Sequence, residues 1–136
     1  MLNSQIHFTT KKSVNVPVIV FYTAPESAPS NFRGHNVSTE EIQVYWNPPN
    51  TRIPGILREY VLLYHPLERA DLVKEIRLKP AASSHLIDGL SVNTTYSIWI
   101  AAVTIKEGPF AATNVSTAEK IIAGDQHIEI SFIVFL

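Results

Sequence analysis

The topology of this chain turns on Leu90-Ser91-Val92-Asn93-Thr94-Thr95-Tyr96-Ser97-Ile98-Trp99-Ile100-Ala101-Ala102-Val103-Thr104. From Tyr96 onward the run is rich in aromatic and β-branched residues and changes character with a period of two, which is the signature of a strand. Tyr96, Ile98, Ile100 and Ala102 fall on one face, and Ser97, Trp99, Ala101 and Val103 on the other. The first set is uniformly apolar, so it turns to the core and Trp99 points away from it. Asp88-Gly89 upstream and Lys106-Glu107-Gly108-Pro109 downstream read as turns.

Further strands lie on either side. Ile42-Gln43-Val44-Tyr45-Trp46 alternates and stops at Asn47-Pro48-Pro49-Asn50. Tyr60-Val61-Leu62-Leu63-Tyr64 is apolar on both faces and stops at His65-Pro66. Val73–Leu78 alternates charge with apolar residues, His85-Leu86-Ile87 is a short strand, and a last one is expected within Ala111–Thr117. Leu67–Glu75 has the only helical flavour, and it is short. Several short strands separated by turn signals predict an all-β antiparallel sandwich.

Composition agrees. At 136 residues the chain is one domain with extra ends, large enough for a core without disulfides or metal. Its 46% hydrophobic and 17% charged residues exclude intrinsic disorder. With 11 basic against 12 acidic residues it lacks the basic face that grips nucleic acid, and it carries no polybasic membrane signal. There is no cysteine, so disulfides, thiolate metal sites and a cysteine nucleophile are excluded together. No stretch approaches the ~20 apolar residues that span a bilayer, so a membrane is expected only through a parent protein.

Five features in order resemble a fibronectin type III repeat. Pro29-Ser30-Asn31-Phe32 resembles its opening strand, and Trp46 followed by Pro48-Pro49 resembles the buried tryptophan and proline pair of the second. Tyr60-x-Leu62-x-Tyr64 resembles the third strand, Leu90 to Tyr96 the Leu…Thr-x-Tyr signature before the sixth, and Gly108-Pro109 the loop before the last. The resemblance implies a seven-stranded immunoglobulin-like sandwich with Trp46, Tyr60, Leu62, Leu90, Tyr96 and Ile98 in the core. Tyr96 would be the corner tyrosine, its hydroxyl bonded to nearby backbone. Val92 stands where the family often has proline, and neither Arg-Gly-Asp nor Trp-Ser-x-Trp-Ser occurs. The expected division is a leader over 1–27, the repeat over 28–118 and a non-family hydrophobic tail over 119–136. In the leader, Val14–Tyr22 reads either as a signal-peptide core or, preferably, as the last strand of a preceding repeat, with Ala24–Pro29 as linker.

No nucleophile elbow, phosphate-binding glycine loop or paired-carboxylate motif is present, so a non-catalytic protein without cofactor, metal or small-molecule substrate is expected. His7, His35, His65, His85 and His127 are too far apart in sequence for a metal motif. Glu68-Arg69-Ala70-Asp71 reads as a solvated turn. Two features carry functional weight. Asn36-Val37-Ser38, Asn93-Thr94-Thr95 and Asn114-Val115-Ser116 are glycan acceptor sequons. Trp99, Leu63, Val61 and Val103 should form one apolar patch on an outer sheet face, open to a partner or covered by the leader or by the stem of Lys74 or Arg77. The resemblance implies a binding or spacer module of a cell-surface or secreted multidomain protein, as in adhesion molecules and receptor-type tyrosine phosphatases, engaging a protein partner or neighbouring domain. The loops around Pro48–Ile56 and Ile105–Phe110 are secondary candidates for contact. The alternative is a cytoplasmic structural scaffold repeat.

Overall fold

A computed structural model describes residues 23–121; the strand expected over Val14–Tyr22 and residues 122–136 of the expected hydrophobic tail lie outside them. Seven strands follow in order: β1 (Pro29–Asn36), β2 (Ile42–Pro49), β3 (Glu59–Pro66), β4 (Lys74–Leu78), β5 (Ser84–Ile87), β6 (Thr95–Val103) and β7 (Glu107–Ser116). They form two antiparallel sheets, β1-β2-β5 and β4-β3-β6-β7. A single 3-10 turn, Ala70–Leu72, interrupts them. Arg69 donates two hydrogen bonds to the Asp71 carboxylate there, at 2.9 and 2.8 Å, both side chains standing in solvent.

The two inward-facing sets meet to make the core. Ile42, Val44 and Trp46 of β2 and Ile87 of β5 face Tyr60 and Leu62 of β3 and Tyr96, Ile98, Ile100 and Ala102 of β6, with Leu90 closing one end. Each large apolar side chain removed from water contributes about 1.5–3 kcal/mol, so this cluster is the main source of stability. Trp46 meets Tyr60 edge-on at 5.4 Å. The Trp46 indole N–H and the Tyr60 hydroxyl are both buried without a well-formed hydrogen bond. Burial pushes the Tyr60 hydroxyl above its ordinary range, and the neighbouring indole pulls it back only in part.

The turn into β6 is held by side chains. Ser91 N–H donates to the Tyr96 hydroxyl at 2.9 Å, the corner arrangement expected of that tyrosine. Thr117 Oγ1 accepts from Thr94 N–H at 3.0 Å and donates to the Ser91 carbonyl at 2.7 Å. Asn93, with φ of 46°, takes the left-handed conformation that asparagine tolerates better than most residues.

Two boundaries differ from expectation. β1 runs to Asn36, bent by an irregular register around Asn31, whose φ is 53°. β7 starts at Glu107, so Gly108-Pro109 is part of a strand and not a turn. An edge strand accommodates this, because proline's missing donor need not face a neighbour. The glycine is required by a close approach: a Cβ on Gly108 would sit 2.9 Å from Pro25 Cβ. Pro25 is buried, so the segment just before β1 is packed against the module.

Candidate interaction surface

The outer face of the four-stranded sheet is read off the register in rows. Glu59, Val103 and Glu107 form one row, and Arg77, Val61, Ala101 and Phe110 the next. Glu75, Leu63, Trp99 and Ala112 follow, then His65, Ser97 and Asn114. Strand alternation therefore brings Trp99, Leu63, Val61 and Val103 to one face, as the sequence pattern requires.

They are not equally accessible. Val61 is 1% and Val103 8% exposed, whereas Trp99 is 39% exposed. The cover comes from Arg77. Its Nε donates to Glu75 at 2.6 Å, an Nη donates to Glu59 on β3, and the other Nη lies 3.9 Å from Glu107 at the start of β7. Arg77 stands beside Val61 in the register, and the carboxylates of Glu59 and Glu107, the cross-strand neighbours of Val103, reach towards its guanidinium, so the long side chains of this ion-pair cluster flank both valines. Glu59, and after it Glu75, hold the guanidinium above its already high range. Arg77, Glu59 and Glu107 border an open groove of about 510 Å³ that Arg58, Thr104 and Lys106 also line. Val61 and Val103 are thus withdrawn from the expected patch: they are on the right face but beneath the protein's own ion pairs.

The other half of the face is open. Trp99 packs edge-on against Phe110 at 6.4 Å and 77°. Its indole N–H donates to Ser97 Oγ at 2.8 Å. With that donor satisfied internally, the indole offers a π-face and hydrocarbon edge to an approaching group. Leu63 beside it is half-buried, and Ala112 is small and exposed. Phe110 and Ala112 belong to this patch, although the turn signal Gly108-Pro109 read alone places Phe110 in a loop. Their alternation with Ala111 was the available signal. Of the two loops, Pro48–Ile56 carries Ile56 and Ile105–Phe110 carries Ile105, both well exposed.

The remaining chemistry-bearing residues stand apart. His35 meets Tyr45 edge-on at 5.8 Å on the outer face of the other sheet, where Arg33 also lies over the Tyr45 ring. His65 Nδ1 lies 2.8 Å from the Pro66 carbonyl, and His85 is half-buried opposite Val44. Among the described residues no three His, Asp or Glu side chains converge as metal ligands would. Asn36, Asn93 and Asn114 are all exposed.

Two antiparallel sheets of this strand order, a core tryptophan on β2 and a corner tyrosine opening β6 define an immunoglobulin-like sandwich of the fibronectin type III class. The chain belongs to the fibronectin type III family, whose model matches residues 27–117. It is 31% identical over 103 residues to the cell adhesion molecule DSCAM of Homo sapiens, covering 75% of this chain and 4% of that protein. Tyrosine-protein phosphatase Lar of Drosophila melanogaster is 31% identical over 87 residues, 58% of this chain and again 4% of the relative. Among solved structures, the fn3 domain of the human collagen alpha-1(XX) chain superposes with a TM-score of 0.63 at 22% identity, over 77% of this chain and 96% of that one. Fibronectin type III domains are generally non-catalytic and occur in adhesion molecules and receptor-type phosphatases.

Proposed function

We propose that this protein is an extracellular, non-catalytic binding or spacer module, and that it contacts a protein partner or neighbouring domain through the open half of the β4-β3-β6-β7 face, centred on Trp99 and Leu63. The observation that carries this reading is the half-exposed Trp99 on a sheet face where alternation ordinarily places polar residues. Tryptophan is enriched among the residues that anchor protein interfaces. Its packing on Phe110 and its bond to Ser97 pre-orient the ring, so little entropy is lost on contact. Three exposed sequons support an extracellular setting, as does the similarity to a cell adhesion molecule.

The test is expression of the chain in its natural context in mammalian cells, with enzymatic glycan removal and a gel readout. A mobility shift is expected. An unshifted, cytosolic product would overturn the extracellular reading in favour of a structural scaffold repeat. For the face itself, Trp99→Arg should abolish partner binding while costing only about 1 kcal/mol of stability, the worth of the lost aromatic pair. Unchanged binding would remove Trp99 from the interface.

A further inference from the structure

We propose that Asn114 is a glycosylation site whose first N-acetylglucosamine lies against the Trp99 indole, so that occupancy of Asn114 closes the open half of the sheet face. This rests on the extracellular reading and says which sequon matters to the interface.

The three sequons separate once the structure is known. Asn36 donates its side-chain amide to the Ser116 carbonyl at 2.9 Å, tying β1 to β7. Asn93 occupies a left-handed turn position. Each of these gives asparagine a local reason to be there. Asn114 has neither: it stands exposed within β7, an extended setting in which asparagine is disfavoured, and its amide makes no hydrogen bond among the described residues.

Its neighbours suit a sugar. Asn114 pairs directly with Ser97 on β6, and Ser97 Oγ is the group that holds the Trp99 indole N–H. The indole therefore leans along β6 toward the row in which Asn114 stands. Cross-strand partners lie about 5 Å apart at Cβ, and diagonal neighbours about 7–8 Å, within reach of a sugar ring attached to the asparagine amide. Ser97 and Ala112, the residues that flank this path, are small. The hexose ring has a face of C–H bonds, and an aromatic face with negative quadrupole complements their positive hydrogens. The same glycan would lie along β7, the outermost strand of its sheet, and block pairing with another chain's edge.

The chemistry is glycosyl transfer to the side-chain nitrogen. A bond forms between Asn114 Nδ2 and the anomeric carbon of an N-acetylglucosamine carried on a lipid-linked pyrophosphate donor. The bond from that carbon to the pyrophosphate oxygen breaks, the pyrophosphate leaves with the electron pair, and the proton lost from the amide nitrogen passes to solvent. In the folded module the sequon's Ser116 Oγ lies 2.6 Å from Thr95 Oγ1 on β6.

The molecule carries its own reporter, because it has two tryptophans and Trp46 is 1% exposed. Acrylamide quenching of fluorescence therefore reads Trp99. The full chain would be secreted from mammalian cells behind an added signal peptide and each sequon mapped by mass spectrometry. Quenching would be measured for wild type, Asn114→Gln, Ser116→Ala, which keeps the asparagine but removes the sequon, and Asn93→Gln. Expected is an occupied Asn114 and quenching roughly twofold stronger in Asn114→Gln and Ser116→Ala than in wild type, since one of the ring's two faces is uncovered. Asn93→Gln should match wild type. Asn114 empty while Asn36 or Asn93 is glycosylated, or Asn114 occupied with equal quenching throughout, would overturn the inference and leave the extracellular reading standing. All three sites empty would also overturn the inference, whereas the extracellular reading falls only if the chain expressed in its natural context stays cytosolic.

Discussion

The two halves of the outer face on β4-β3-β6-β7 are built from the same four strands and similar apolar side chains, yet one is closed and the other open. At the closed end, Val61 and Val103 are flanked by Arg77, whose guanidinium is shared among Glu75, Glu59 and Glu107. At the open end, Leu63 and Trp99 share a row with Glu75 and Ala112, Asn114 stands in the next row, and Trp99 is 39% exposed. Alternation decides only which face a side chain points to. Whether it meets water there depends on the reach and charge partners of residues two strands away.

This contrast has measurable consequences. The largest concerns the inner face that serves as reference: Trp46→Ala should cost about 3–5 kcal/mol in urea denaturation, as for other buried aromatics. Val61→Ala should cost about 2 kcal/mol, combining lost burial with a small cavity, although Val61 points outward. A cost near zero would mean that Arg77 does not seal that half. Arg77→Met keeps the stem and removes the charge, so it should lower the melting temperature slightly at low salt and hardly at all in 1 M salt, where exposed pairs are screened. Equal losses at both salts would show that packing and not charge holds the cover in place.

Tyr60→Phe should have the smallest effect at neutral pH, within about 0.5 kcal/mol, because the hydroxyl it removes is buried without a well-formed partner. At high pH the two proteins should part. The folded-state pKa of Tyr60 is raised, so the unfolded chain gives up that proton first. Wild-type stability from this group is then intact below about pH 10 and is lost as pH rises through the folded value. Tyr60→Phe lacks this loss, and alkaline unfolding monitored by circular dichroism would show it surviving to higher pH. Coincident alkaline transitions would show that Tyr60 ionises as easily folded as unfolded.

Much of the fold was legible because period-two patterning is a local property. Tyr96, Ile98 and Ile100 announce a buried face without reference to any other strand, and Trp46 before Pro48-Pro49 marks both a strand and its end. The start of β7 was not legible, since Gly108-Pro109 is a turn signal in isolation. It becomes strand only because the chain occupies a sheet edge and because Pro25 packs where a side chain at 108 would be. The candidate surface was half legible: Trp99 and Leu63 follow from alternation, but the burial of Val61 and the membership of Phe110 do not.

The sequence alone thus determined the strand periodicity, the inward and outward sets, and the family. Each rests on interactions between residues close in the chain or on motifs at set spacing. Only the tertiary structure decided that Arg77 stands beside Val61, that Phe110 braces Trp99, and that Asn114 stands across from Ser97. Those are contacts between strands, set by register and side-chain reach, and register emerges only when the sheets assemble around their common core.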